Sequence, residues 1–335
     1  MVISYPVYYP IFKKIRNVTT KEMGYSHLFG PVSSRRLGQS LGIDLIPFKV
    51  CSFDCVYCEL GRTTYKTTTR QEFFPPSEVE EELMRFFSTD PTLDYITLSG
   101  SGEPTLSFSI GRIVKFIKCN FPSYPLTVLT NGSLLWEREL QQELLPADVI
   151  LPTLCAVDEE TFQKIHRPSP GLTIKEIIRG LKEFRSIYRG EIWLEIFLIP
   201  GLNMDSDHLA ALGDEIEKIH PDKVQLNTLD RPGAESWVRP ANRDELDDAA
   251  RILGLPYTEP IRPVSYQRTP KRTTADPASM VIEMISRRPC TVEDIAQATG
   301  LHRTEVGKLL REFSRDPRLH LKRESRGIFY SWVET

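Results

Sequence analysis

The sequence predicts an α/β fold, a parallel sheet with its helices outside, followed by a small module of helices and a hairpin. Three observations lead there. Apolar runs of strand length alternate with amphipathic segments of helical period from residue 76 to residue 226, with one more strand candidate ahead of them. Repeated β/α units joined by right-handed crossovers build a parallel sheet, as an open doubly wound sheet or a partial barrel, and both place ligands at the carboxyl ends of the strands. Lastly, Pro256, Pro260, Pro263, Pro270 and Pro277 with charged neighbours read as an extended linker over 256–277, which sets apart residues 278–335.

Residues 1–27 have no clear period and read as an N-terminal extension. The barrel spans 28–255. Its first strand candidate is the apolar run 41–48, which leads straight into three closely spaced cysteines. Residues 59–76 lack pattern and carry Arg62, Lys66 and Arg70, a loop long enough to be a functional lid or a solvated connection. Further strands are expected at 95–99, 126–130, 149–154, 192–199 and 223–226, and helices at 76–87, 110–118, 136–144, 174–188 and 206–219, giving six β/α units in all. In the tail, a helix over 278–287, a second over 292–298 capped by Thr291, a turn at Gly300 and a third helix over 303–313 precede strand-like runs 319–323 and 328–333. Three short helices and a hairpin spell a winged helix-turn-helix domain. Its expected core is Ile295, Ala296, Leu301, Val306, Leu309 and Leu310, leaving Arg303, Lys308 and Arg311 on the third helix and Lys322, Arg323 and Arg326 on the wing.

The chain has 335 residues, of which 40% are hydrophobic and 26% charged, the balance of an ordinary globular protein with room for one large domain and a smaller one. No apolar run approaches the ~20 residues that span a bilayer, and Pro6 and Pro10 interrupt the N-terminus where a signal peptide would be continuously apolar, so a cytoplasmic protein with no membrane partner is expected. The net charge of −3 hides an asymmetry: residues 1–269 hold 30 basic against 36 acidic side chains (−6), and residues 270–335 hold 12 against 9 (+3). A mildly basic tail permits a nucleic-acid partner without demanding one.

Cys51, Cys55 and Cys58 fall within eight residues, while Cys119, Cys155 and Cys290 stand alone. Three neighbouring thiolates suit an iron–sulfur cluster better than disulfides, because soft sulfur selects zinc or iron–sulfur. A [4Fe–4S] cube held by three cysteines leaves one iron without a protein ligand, which is where chemistry is done. A zinc site completed by a distant fourth ligand, or a cluster of buried reduced thiols, would satisfy the spacing alone.

The C-x3-C-x2-C spacing, with Tyr57 just before the last cysteine, resembles the radical S-adenosylmethionine (SAM) superfamily. The resemblance implies that Cys51, Cys55 and Cys58 hold a [4Fe–4S] cluster whose open iron chelates the amino and carboxylate groups of SAM, that one electron then cleaves SAM to a 5′-deoxyadenosyl radical, and that the fold is a partial (β/α)6 barrel. The run Ser99, Gly100, Ser101, Gly102, Glu103 at a strand end resembles the stretch by which this family holds the amino group of SAM, with Ser101 in place of the first glycine. Other strand ends carry Thr130-Asn131-Gly132, Thr153 with Cys155, and the segment from Ile199 to Gly201. The resemblance assigns cofactor contacts to Tyr57, Ser99, Gly100, Ser101, Gly102, Glu103, Asn131, Thr153, Ile199 and Gly201. Cys155, standing where an aspartate is expected, is either a hydrogen-atom donor or a buried small thiol.

Over residues 28–230 the chain is most similar to the wyosine-synthase-like subgroup, through Ser33-Ser34-Arg35-Arg36-Leu37-Gly38, the run 41–47, the cysteine loop, the Glu103 turn and Thr130-Asn131-Gly132. It lacks the further cysteines of a second cluster. The resemblance makes RNA, tRNA in particular, the leading substrate. A peptide or protein docked on the winged helix comes second, and an iron–sulfur redox-sensing transcriptional regulator is the reading of another class. An external flavodoxin or ferredoxin is expected to supply electrons. The tail is expected to recruit substrate and to take no part in the SAM site.

Overall fold

The computed structural model describes residues 25–256, 258–260, 276–324 and 326–333. An eight-stranded sheet carries β1 (Leu28–Ser34), β2 (Gly38–Ile43), β5 (Tyr95–Leu98), β6 (Leu126–Thr130), β7 (Val149–Pro152), β8 (Glu191–Phe197), β9 (Lys223–Asn227) and β10 (Thr258–Pro260), in that spatial order. A short side pair joins β3 (Val50–Cys51) to β4 (Tyr65–Lys66). β1 is antiparallel to β2, and every pairing from β2 to β10 is parallel. The order never reverses, so the sheet is not doubly wound, and a partial barrel is the form consistent with it.

Between the strands run α1 (Pro76–Phe87), α2 (Ile110–Asn120), α3 (Arg138–Leu144), α4 (Glu159–His166), α5 (Ile174–Ile187), α6 (Ser206–Ile219) and α7 (Arg243–Leu253). Local chemistry starts and stops them. α1 opens on proline, Asp158, Thr173 and Asp205 cap α4, α5 and α6, and Asn242 with Glu245 forms a reciprocal capping box on α7.

Strand alternation sorts the sheet into two faces. Leu41, Ile43, Ile96, Leu98, Leu126, Val128, Ile150, Ile192, Leu194, Ile196, Val224 and Leu226 join one large apolar core with the helices. The alternate positions include Ser40, Thr97, Thr127, Glu195, Gln225 and Asn227, all buried and all polar. Strands covered on both faces ordinarily read as continuous apolar runs. The alternate face is thus mixed, with these polar side chains set beside an apolar cluster of Leu37, Val149, Leu151 and Trp193.

The tail holds α8 (Pro277–Arg287), α9 (Val292–Thr299), α10 (Arg303–Phe313) and the antiparallel hairpin β11 (Leu319–Glu324) and β12 (Gly327–Trp332). Val281, Ile285, Ile295, Leu301, Val306, Leu310 and Trp332 form its own core, with Ala296 and Leu309 partly buried against it.

Several expectations are corrected. The strand expected over 41–48 ends at Ile43, because Pro47 has no N–H for a ladder and the chain turns there, Val50 N donating to Pro47 O and Lys49 adopting a left-handed φ of 59°. The loop over 59–76 is stitched down and is not a free lid. Arg70 is buried, donating to the carbonyls of Thr105 and Ser107 and to Glu143, while Arg62 pairs with Glu235 and Lys66 donates to the carbonyl of Arg167. Of the expected linker, 258–260 is a sheet strand, and residues 257 and 261–275 lie outside the described residues. So do residues 1–24 of the expected N-terminal extension.

The tail is also joined to the barrel. Arg231, just past β9, donates to Asp294 (2.7 Å) and to the carbonyl of Pro289, and its Nε lies 3.6 Å from Glu59. Arg326 pairs with Asp230 (2.5 Å) and Asp294 (2.8 Å). On the other side Arg287 reaches Asp44 at 2.6 Å and lies over the ring of Phe29. Asp44 follows β2 and Asp230 follows β9, so the tail touches residues beyond the carboxyl ends of strands near both edges of the sheet.

Candidate functional site

The cysteine loop leaves β2 by way of Asp44–Phe48 and is pinned by main-chain bonds. Lys49 N donates to Ser101 O, Glu103 N to Val50 O, Asp54 N to His166 O, Val56 N to Ile165 O and Ser169 N to Ser52 O. The loop is thereby tied to the Ser99–Glu103 turn and to the C-terminal end of α4. All three cysteines are free and half-buried.

Each sulfur has its own neighbour. Asn131 Nδ2 and Phe53 N both lie 3.5 Å from Cys51 Sγ, His166 Nδ1 lies 3.2 Å from Cys55 Sγ, and Lys49 Nζ donates to Cys58 Sγ at 3.1 Å. Burial, and then the charge of Glu103, push the Cys51 thiol up to about 12; burial and then Cys51 push Cys55 well above the ordinary thiol range. Without a metal the Cys51 and Cys55 thiols keep their protons, and metal binding must displace them. Burial takes His166 down to about 3, so its ring is neutral.

The Ser99–Glu103 turn packs tightly on this loop. A side chain at Gly100 (φ 120°) would meet Asp44 Oδ1 at 1.7 Å, and one at Gly102 would meet Val50 O at 1.8 Å, so the glycines are what lets the turn approach the cysteine loop. Asp44 Oδ1 accepts from Ser101 N at 2.7 Å, and its other oxygen takes Arg287. The tail therefore reaches this turn through one carboxylate, against the expectation that it stands apart.

Glu103 is buried, and burial raises its carboxyl above the usual range. Oε1 accepts from Thr105 N (3.1 Å), Thr105 Oγ1 (2.5 Å) and Thr130 Oγ1 (2.6 Å), and Oε2 accepts from Asn131 N (2.7 Å). The carboxylate thus ties the ends of β5 and β6 together, with acceptor capacity left on Oε2. Asn131 faces the loop, donating to Ser52 Oγ at 2.8 Å.

The remaining predicted residues lie further round the sheet. Thr153 donates to Glu195, which also accepts from Asn227 and pairs with Arg36. Ile199 N donates to Asn203 Oδ1, and Gly201 is exposed at φ 85°. Tyr57 stacks on Phe197 at 3.9 Å, and both belong to an apolar cluster with Val56, Ile165, Ile199 and Cys155. Cys155 is fully buried, accepts from Phe197 N at 3.3 Å, and is pushed up to about 12 by burial.

Sequence reasoning missed Lys49, His166 and Asp44. Lys49 left a signal, a lone charge between Phe48 and Val50 in an apolar run. His166 left none, since only the fold brings it to Cys55.

Among the described residues no three His, Cys, Asp or Glu side chains converge on a single ion. Cysteines of a cluster bind different irons and need not converge. The donor set fits a cluster: three free thiols, a buried cation and a close-packed glycine turn.

The family profile described as "Radical SAM superfamily" matches residues 45–212, half of the chain. The chain belongs to the radical SAM superfamily. It belongs also with the UPF0026 proteins, being 36% identical over 231 residues to UPF0026 protein MJ1312 of Methanocaldococcus jannaschii, with 68% of this chain and 70% of that one covered. A Brachyspira hyodysenteriae protein named GTPase Obg is 34% identical over 302 residues, covering 89% of this chain, which spans only 44% of that relative. Among solved structures, a radical SAM methyltransferase from Sphaerobacter thermophilus shares the fold at a TM-score of 0.51 and 19% identity, with 66% and 65% of the two chains covered. As a radical SAM protein it uses a [4Fe–4S] cluster and SAM. No helix among the described residues is long and apolar enough to cross a membrane.

Proposed function

We propose that Cys51, Cys55 and Cys58 each hold one iron of a [4Fe–4S] cluster, with SAM lying against the fourth along the carboxyl ends of the strands. The observation that carries this is the junction of three free thiols with the Ser99–Glu103 turn, beyond the carboxyl ends of β2 and β5. When bound, the two cofactors supply one-electron cleavage of SAM to a 5′-deoxyadenosyl radical that abstracts hydrogen from a substrate. The chain's own part is to bind and orient. Glu103 Oε2 accepts the ammonium of SAM, the backbone of Ser99, Gly100, Ser101 and Gly102 lets the ligand approach closely, and Asn131 holds Cys51. Tyr57, Thr153 and the stretch from Ile199 to Gly201 complete the nucleoside side. Cys155, shielded behind Tyr57, is the candidate hydrogen-atom donor. Electrons come from an external flavodoxin or ferredoxin, in a reducing cytoplasm that keeps the lone cysteines free.

Anaerobic reconstitution is the test: about four irons and about four sulfides per chain are expected, with an electronic signature that changes on adding SAM. Changing any one of the three cysteines to Ala should abolish cluster retention and SAM cleavage. One zinc per chain with no response to SAM overturns the reading.

For the substrate we propose RNA, a tRNA in particular, recruited by a winged-helix tail. The support is the likeness of residues 28–230 to wyosine-synthase-like sequences, together with Lys308, Arg311 and Arg323. These three are exposed and make no ion pair among the described residues, whereas Arg303, Lys322 and Arg326 are taken up by Glu293, by Glu324, and by Asp230 with Asp294. Removing Lys308 or Arg311 should lower the salt dependence of tRNA binding by about one unit each. Binding that ignores salt, with polypeptide co-purifying in place of RNA, would assign the site to a peptide substrate.

A further inference from the structure

Lys49 is a charged side chain only 3% exposed, and the one polar partner of its ammonium among the described residues is Cys58 Sγ at 3.1 Å. A buried ammonium without an anion is costly, so its position calls for negative charge at that sulfur. The side chain is not free to leave. Its backbone donates to Ser101 O at 2.6 Å, accepts from Thr64 N and Tyr65 N, and sits at a φ of 59°, which fixes the direction of the Cα–Cβ bond. The hydrogen-bonding neighbours of the other two sulfurs carry no positive charge: the Asn131 amide and Phe53 N at Cys51, which also feels the Glu103 carboxylate, and the His166 ring at Cys55. The three cysteines therefore have unequal surroundings: Lys49 lies close enough for its charge to reach Cys51, but among the described residues only Cys58 takes a hydrogen bond from it.

Resting on the cluster assignment above, we infer that Lys49 is a positioning residue that sets the reduction potential of the cluster, through a charge-assisted N–H···S bond to the Cys58 thiolate. Taking up one electron makes the cluster more negative. A cation held against one of its sulfurs favours that form, and charge and hydrogen bonds at the sulfurs are the levers that set such potentials. Lys49 thus eases delivery of the electron from a flavodoxin- or ferredoxin-type donor, and it does so before SAM arrives.

The test is a redox titration of the full-length, anaerobically reconstituted protein with dithionite as reductant, read by electron paramagnetic resonance in the absence of SAM. Lys49→Met should keep its iron and sulfide, and its one-electron reduction should become about tenfold less favourable, a fall of about 59 mV. Lys49→Arg should recover most of the difference. If Lys49→Met does not hold the cluster, Lys49→Gln, which keeps a donor and removes the charge, is compared with Lys49→Arg: a lower potential in the Gln variant supports the inference, and equal potentials overturn it. An unchanged potential in loaded Lys49→Met also overturns it, and if that variant binds SAM more weakly, the ammonium serves the carboxylate of SAM instead. Failure of the wild-type protein to take up a [4Fe–4S] cluster would sink the cluster assignment itself, a separate outcome.

Discussion

The cysteine loop and the seam between barrel and tail lie on the same side of the sheet and are held by opposite means. The loop is fastened by main-chain bonds to Ser101, Ile165 and His166 and by the buried pair Ser52 and Ser133, with a neutral imidazole beside Cys55. The seam is fastened by arginines: Arg231, Arg287 and Arg326 against Asp294, Asp44, Asp230 and Glu59. Main-chain bonds between buried groups ignore ionic strength, whereas ion pairs weaken with salt and acid. The contrast divides the molecule into a site that holds its shape under changing conditions and a tail whose attachment responds to them.

The largest expected effect strikes the site. Glu103→Gln should leave the iron content intact and lower SAM affinity on the order of tenfold or more, and it should cost about 3 kcal/mol of stability, because an amide cannot accept from all of Asn131 N, Thr105 and Thr130 at once. Calorimetric SAM binding and urea denaturation measure the two; undiminished SAM affinity in a loaded variant removes Glu103 from the binding site. Next comes the seam. Arg231→Met leaves Asp294 and Glu59 short of a partner, at about 3 kcal/mol, and hydrogen exchange in α9 should rise while that in β6 and β7 stays put. A uniform rise would mean that barrel and tail unfold as one body.

Smaller effects separate the two further. Arg326 is partly exposed, so Arg326→Ala should weaken tail docking by only ~0.2–1 kcal/mol, and raising salt to about 1 M should reproduce much of that loss without altering the barrel. Acid is the last probe. Burial works against ionisation of Asp294, but Arg231, the N–H of Thr291 and Arg326 outweigh it and hold its carboxyl down at about 2. A depressed carboxyl stabilises the folded state above its unfolded value, about 3.9, and that contribution fades as pH falls from about 4 towards about 2. Exchange protection of α9 in the cluster-free protein, taken relative to the intrinsic amide rate at each pH, should therefore be flat above about pH 5 and fall below about pH 4. If that protection is instead lost as pH rises from neutrality, a different group governs the seam.

Legibility followed distance along the chain. Helices 76–87, 206–219 and 303–313 were readable to the residue, because a proline or capping side chain marks one end and the apolar period runs to the other. α4 and α7 escaped despite good caps at Asp158 and Asn242, α4 being eight residues long and α7 lying past the last expected strand. The three cysteines and Glu103 were legible through spacing. The partners of the sulfurs were not, because Lys49 needs the turn at Pro47 to swing back over Cys58, and His166 belongs to a helix that meets the loop only in three dimensions. The seam was hidden for the same reason: nothing near Arg231 in sequence points to Asp294.

Asp44 carries a consequence for how such chains change over generations. Its carboxylate fills the space that a side chain at position 100 would need, accepts from Ser101 N, and receives Arg287 from the tail. Positions 44 and 287 are thus bound into one inheritance: a lineage that loses the tail frees Asp44 of its cation, while position 100, at φ 120°, keeps its glycine even where Asp44 gives way to a smaller residue. Substitutions at positions 44 and 287 should arrive together in descent.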